Sequence, residues 1–138
     1  MDQSIATLLK GHQLRRTPMR IEVLKVLMNA NGTAIAHPEL ERMLPDADRI
    51  TLYRTLKTFQ EKGLVHQVVD SSSATKYALC RDQCNEHQHH DDHAHFHCQT
   101  CGKTVCLESV NISTFQVPPG FKVSQTHLVL EGTCDNCN

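Results

Sequence analysis

Apolar positions in the first half of the chain recur with helical spacing. Ile21, Leu24, Leu27 and Met28 form one stripe after Thr17-Pro18, and Asn29–Gly32 interrupts it, which predicts a helix opening at Pro18. Pro38 suits the first position of a second short helix over His37–Leu44, where its missing N–H costs nothing, and Pro45-Asp46 ends it. Asp48 can cap a third helix running to Lys62, with Gly63 as its stop. Leu52, Leu56 and Phe59 fall at i, i+4 and i+7 and should face a core. Thr51, Arg54, Thr55, Thr58 and Lys62, flanked by Arg49, Tyr53 and Lys57, make a second face that is basic and hydroxylated.

Beyond Gly63 the spacing shortens. Leu64–Val69 and Thr75–Leu79 read as strands around Asp70-Ser-Ser-Ser73, a hairpin with a polar tip. Helix–turn–helix followed by a two-stranded hairpin is the outline of a winged helix. Residues 80–92 are polar and irregular, as a linker would be. After them His93–Cys98, Lys103–Leu107 and Phe121–Glu131 are predicted as strands, with a short helix or turn around Ser109–Phe115. The expected class is α+β: a winged helix-turn-helix domain over 1–79, a hinge over 80–92 and a small C-terminal α/β domain over 93–138.

Composition sharpens this division. The 138 residues hold no Trp, four Phe and two Tyr, so aromatic packing is scarce and a metal staple would compensate. The N-terminal MDQSIATLLK has no apolar signal region and no stretch approaches membrane-spanning length. An odd number of cysteines (seven), four of them in CxxC pairs, fits reduced, metal-bound thiolates in a cytoplasm rather than disulfides. Residues 1–79 hold 11 Lys/Arg against 8 Asp/Glu, whereas 80–138 hold 3 against 7. A basic front and an acidic, His- and Cys-rich back suggest two tasks.

Cys98-Gln-Thr-Cys101 and Cys134-Asp-Asn-Cys137 offer four soft donors, the set that tetrahedral Zn²⁺ prefers. Gly102 is what a tight metal-binding turn needs. The 32 residues between the pairs mean that such an ion would close a whole subdomain. His93, His95 and His97 alternate on one face of a strand; two of them can share an ion if other elements supply the rest. His66 and Cys80, on the expected hairpin, can approach that pair if the linker folds back. His97, beside Cys98, fits packing or support. His87, His89 and His90 read equally well as a solvated surface. On the third helix Arg49, Thr51, Tyr53, Arg54, Thr55 and Lys57 project from the element that enters a major groove in a helix-turn-helix, and Arg15, Arg16 and Arg20 add cations suited to phosphates.

Leu14-Arg-Arg-Thr-Pro-Met-Arg20, Ile50-Thr-Leu-Tyr-Arg-Thr-Leu-Lys-Thr-Phe59, Glu61-Lys-Gly-Leu-Val65, His93-Ala-His-Phe-His-Cys-Gln-Thr-Cys-Gly-Lys103 and Gly132-Thr-Cys134 with Cys137 together resemble the ferric uptake regulator family over nearly the whole chain. The resemblance implies a metal-dependent transcriptional repressor, a homodimer made through the C-terminal domain, and a near-palindromic double-stranded operator. Cys80 after Lys76-Tyr-Ala-Leu79, with His66 on the preceding strand, is similar to the zinc uptake regulator branch. On that pattern Cys98, Cys101, Cys134 and Cys137 hold a structural Zn²⁺. His66, Cys80, His93 and His95 hold a regulatory Zn²⁺, with Fe²⁺ or Mn²⁺ as the alternative.

Other candidate ligands are His37, which matches an iron- and peroxide-sensor ligand, Cys106, in place of a carboxylate of that pattern, and Glu108. His127 and the unmatched Cys84, His87, His89 and His90 complete the list. The rival readings are an iron or peroxide sensor of the same family and, from another class, a zinc-storage or chaperone protein. A zinc hydrolase lacks a Glu placed as general base beside the His ligands.

Overall fold

The computed structural model describes residues 2–79, 93–111, 116–124 and 127–138. Cys80, Cys84, His87, His89 and His90, and the side chains of His93 and Glu108, lie outside the described set. Four helices come first, α1 (Asp2–Gly11), α2 (Pro18–Asn29), α3 (His37–Met43) and α4 (Arg49–Glu61), with a short strand β1 (Thr33–Ala36) between α2 and α3. Then follow β2 (Val65–Val69), β3 (Thr75–Leu79), β4 (His93–Cys98), β5 (Thr104–Asn111) and β6 (Val129–Gly132).

The helix boundaries follow from local chemistry. Thr17 caps α2 by accepting the Arg20 N–H at 3.3 Å, with Pro18 next in line. Asp48 caps α4 by accepting from the Thr51 N–H at 3.0 Å and the Thr51 hydroxyl at 2.9 Å. Gly63, at φ 77°, turns the chain out of α4 in a conformation that side chains resist. Leu52, Leu56 and Phe59 are buried against Val23, Leu24, Leu27, Leu40, Leu64 and Val65. Ile5 and Leu9 of α1 close this core from the other side.

The strands form one sheet in the order β2-β3-β1-β5-β4-β6. Strand β1 splices its two parts. Ile35 and Ala36 pair antiparallel with Tyr77 and Lys76 of β3, while Thr33 and Ala34 pair with Val105 and Thr104 of β5. Four strand spacings separate β2 from β4, which would be about 19 Å in a flat sheet. Yet a side chain of β2 touches one of β4 at 3.1 Å, so the sheet folds over at β1. The hairpin β2–β3 thereby becomes two-faced. Val65 and Tyr77 join the helical core, whereas Val68 and Ala78 pack with Ala34, Cys106 and Val129.

Two expectations change. The helix or turn expected around Ser109–Phe115 begins as strand, because β5 pairs on to Asn111 opposite His93, with a register shift at His93/Ala94; residues 112–115 lie outside the described set. Among the described residues, the strand expected over Phe121–Glu131 is found only at Val129–Gly132, where β4 offers a parallel partner. Residues 121–124 are unpaired coil, and Phe121 and Val123 are exposed. Helix α1 and strand β1 were not foreseen.

Candidate metal centres and nucleic-acid face

Cys98 ends β4, and Cys134 and Cys137 follow β6. These two strands run parallel with Cys98 opposite Gly132, so the two CxxC turns meet at the same end of the sheet. Gly102, at φ 82°, lets the first turn close, with its N–H on the Cys98 carbonyl at 2.9 Å. All four sulfurs lie within 4.8 Å of one another, and none is in a disulfide. Cys101 Sγ and Cys134 Sγ are 3.9 Å apart, close to the ~3.8 Å edge of a tetrahedron with Zn–S bonds of about 2.3 Å.

Electrostatics fit a cation here. The N–H groups of Cys101 and Cys134 point at Cys98 Sγ from 3.4 and 3.3 Å and bring that thiol down to about 5. The crowding of Cys134 and the other sulfurs pushes Cys137 up to about 12. One ready thiolate beside a thiol that its neighbours prevent from ionising is what a divalent cation would relieve.

A second cluster forms where the folded sheet faces itself. His66 on β2 and His95 on β4 are both buried, with their Nε2 atoms 3.1 Å apart and their rings edge to face at 5.0 Å. Cys106 lies directly opposite His95 across β4–β5, and its Sγ is 3.4 Å from His66 Nε2. The three donor atoms lie within 4.8 Å of one another. Tetrahedral zinc would set such N···N and N···S edges at about 3.3 and 3.6 Å, so this donor set fits a divalent ion with little movement.

Of the regulatory set drawn from the sequence, His66 and His95 are brought together. Cys80 and the side chain of His93 lie outside the described residues. Cys106, a secondary candidate, joins the cluster, because strand pairing fixes it opposite His95. His37 does not. Its Nδ1 pairs with Glu41 at 3.1 Å and its ring packs edge-on to Tyr53 and Tyr77. His127 is exposed, apart from both clusters. His97 is buried, with Nδ1 2.9 Å from Thr104 Oγ1 and 3.2 Å from Asp70. Asp70, Lys76 and Thr104, buried together beside it, were not singled out in the sequence. An acid at a hairpin tip and a lysine within a strand look solvated in sequence, and only the phase of Asp70 with His66 and Val68 hinted otherwise.

The helix-turn-helix comprises α3 and α4. Thr51, Tyr53, Arg54 and Lys57 are exposed on α4, as are Arg15 and Arg16 ahead of α2. Arg49, 80% exposed, reaches back to Glu41 at 3.2 Å. Arg20 is half-buried and donates to the Arg15 carbonyl at 2.8 Å. Thr55 departs from expectation. It is buried beside Leu52 and Leu56, and its hydroxyl donates to the Thr51 carbonyl at 2.8 Å, so it is unavailable to a ligand.

Comparison with known proteins bears on this arrangement. The ferric uptake regulator family model matches residues 11–130. The chain belongs to the ferric uptake regulator family. Within the family, the peroxide operon regulator of Bacillus subtilis (strain 168) is 30% identical over 142 residues, covering 94% of this chain and 88% of that protein. The zinc uptake regulation protein of Escherichia coli (strain K12) is 32% identical over 133 residues, covering 90% and 73%. The fold is similar to that of a zinc uptake regulator complexed with zinc and DNA, at a TM-score of 0.65 and 24% identity over 99% of this chain and 93% of that one. It also resembles the Vibrio cholerae ferric uptake regulator, at a TM-score of 0.60 and 24% identity over 93% and 98%. Identity alone does not separate the zinc and peroxide branches.

Proposed function

We propose that this chain is a zinc-responsive, DNA-binding transcriptional repressor that acts as a homodimer on a near-palindromic operator. The observation that carries the reading is the His66–His95–Cys106 cluster, because it joins the hairpin of the helix-turn-helix unit to the C-terminal half. Residues 1–79 are the DNA-reading part and 93–138 the pairing part. Cys98, Cys101, Cys134 and Cys137 would hold a structural zinc. His66, His95 and Cys106, with Cys80 and His93 from the neighbouring segment, would hold the regulatory ion. There a divalent cation supplies attraction between two buried imidazoles and a thiolate that otherwise face one another.

His66 comes from the wing, and His95 and Cys106 come from the C-terminal strands. Their convergence therefore depends on how the two halves sit. A ligand of the converged arrangement shifts the population toward it only by its preference over the separated one. Thiolate with imidazole is a donor set for zinc; iron and manganese favour more oxygen. The peroxide- or iron-sensing alternative draws on the equal similarity to the B. subtilis regulator. It is weakened by His37, which pairs with Glu41 and lies outside the cluster. A storage protein would have no use for the Tyr53/Arg54/Lys57 face.

Duplexes selected from a random pool by the zinc-loaded protein provide the probe. With the four-cysteine site filled, added Zn²⁺ should tighten binding, and Fe²⁺ or Mn²⁺ under anaerobic conditions should do so less. A titration that stays flat for zinc sinks the reading. A response to iron alone moves the chain to the other branch. Unchanged binding after Tyr53→Ala and Arg54→Ala would favour storage.

A further inference from the structure

The folded-over sheet carries a second buried polar cluster. The Asp70 carboxylate, just past β2, has no exposed side-chain surface. Its Oδ2 accepts from Lys76 Nζ at 2.7 Å and from the Thr104 hydroxyl. The other oxygen accepts from the Ser72 N–H at 2.9 Å and from the Ser72 hydroxyl. Lys76 Nζ also donates to Thr104 Oγ1 at 2.9 Å and to the Gly102 carbonyl at 3.2 Å. Because the Thr104 hydrogen is committed to Asp70, the 2.9 Å contact from His97 Nδ1 to Thr104 Oγ1 places a proton on that nitrogen.

These partners divide cleanly. Asp70, Ser72 and Lys76 belong to the wing hairpin. His97, Gly102 and Thr104 belong to the strands around the first CxxC turn. His97 immediately precedes Cys98, and Gly102 immediately follows Cys101. Backbone bonds make that turn one unit, with Gly102 N–H on the Cys98 carbonyl at 2.9 Å and Cys98 N–H on the Lys103 carbonyl at 2.8 Å. The Cys98–Cys101 turn therefore cannot change shape without moving the groups that hold Lys76 and Asp70.

A buried ion pair is weak evidence of stability, since desolvation offsets most of its attraction, and its best-attested use is to fix one arrangement over others. Here the arrangement fixed is wing against C-terminal strands. We infer that the Asp70–Lys76 pair is a positioning lock through which the four-cysteine cage sets the wing. Filling the cage then governs where the DNA-reading half sits, besides holding its own subdomain closed. This rests on reading the cage as a metal site. It is independent of which ion the His66 cluster takes.

Hydrogen exchange on the full chain tests it, with zinc content measured in parallel. In the wild type carrying zinc in the cage alone, with one zinc per chain, stripping the cage with a chelator under reducing conditions should speed exchange of hairpin amides over 65–79 by roughly tenfold or more, while α2 and α4 amides change far less. The double variant D70N/K76M removes both charges at similar volume and leaves no orphaned ion. It should retain cage zinc and helical amide protection, but show fast hairpin exchange already, with nothing added by stripping.

Slow hairpin exchange in the double variant with the cage full overturns the proposal. So does a wild-type hairpin indifferent to stripping, an arm that stands even if the variant does not fold. A cage that binds no zinc is seen directly in the metal content and removes the premise instead.

Discussion

Cys106 and His95 face each other because antiparallel pairing puts them in one register, and His66 meets them because it shares a face of β2 with Val68 and Asp70. A carboxylate at 106 would keep the reach while exchanging a soft donor for a hard one. Cys106→Asp is therefore expected to weaken zinc at the second site by roughly ten- to a hundredfold, the range in which even supporting residues of metal sites act. Competition with a chromophoric chelator, run with the cage filled, measures it. With the cage filled by Zn²⁺ and Co²⁺ as the probe of the second site, Cys106→Ser should lower the sulfur-to-cobalt charge-transfer absorption, leaving only what Cys80 contributes, while still binding an ion. At this scale the sequence was informative where spacing alone sets geometry. Each CxxC pair needs only its own turn, so the sequence announces two halves of a cage, which the parallel pairing of β4 and β6 brings together. It was less informative for His93, His95 and His97, whose shared phase does not say which will meet a ligand. His95 meets His66, whereas His97 meets Thr104.

Secondary elements were legible in proportion to how far they stabilise themselves. Helices α2 and α4 carry caps and apolar stripes, so their boundaries follow from a few neighbouring residues. Helix α1 has ten residues, too few to persist alone, and exists because Ile5 and Leu9 complete a core made by other helices. Leu9→Ala should accordingly cost about 3 kcal/mol in urea unfolding, with a smaller cost overturning α1 as a core element. Strand β1 has four residues and was invisible for the same reason: its hydrogen-bond partners, β3 and β5, lie far along the chain. On α4, Arg54 is exposed and contributes a charge to the proposed DNA face. Arg54→Ala should weaken binding to selected duplexes and lower the slope of log affinity against log salt by about 1. An unchanged slope would mean that Arg54 touches no phosphate.

Across the whole molecule, the fold at β1 decides the chemistry. It lays His66, Val68, Asp70, Lys76 and Ala78 against His95, His97, Thr104, Cys106 and Val129, with polar clusters at both ends and Val68 and Ala78 between them. Burial raises the Asp70 carboxyl, but the hydrogen bonds from Lys76, Ser72 and Thr104 outweigh it and hold the group well below the usual carboxylate range. A folded-state value below the unfolded one means stability that is fully present above the unfolded pKa and lost as pH falls beneath it. The wild type should therefore lose stability as pH falls below about 4, and Asp70→Asn should show a shallower loss over the same window. Urea midpoints at several acidic pH values check this. Parallel slopes for the two proteins would place the acid sensitivity elsewhere.

Local chemistry, written in short spans of the chain, determined the capped helices, the hairpin, the two separate CxxC turns and the basic face of α4. Each depends on neighbours within a turn or on alternation along one strand, so the order of residues suffices. Tertiary structure alone decided that Cys106 joins the two imidazoles, that His37 stands apart with Glu41, that Thr55 turns inward, and that a hairpin-tip aspartate is buried. Those outcomes depend on which strands meet and where the sheet bends, and both are set by packing among segments separated by dozens of residues.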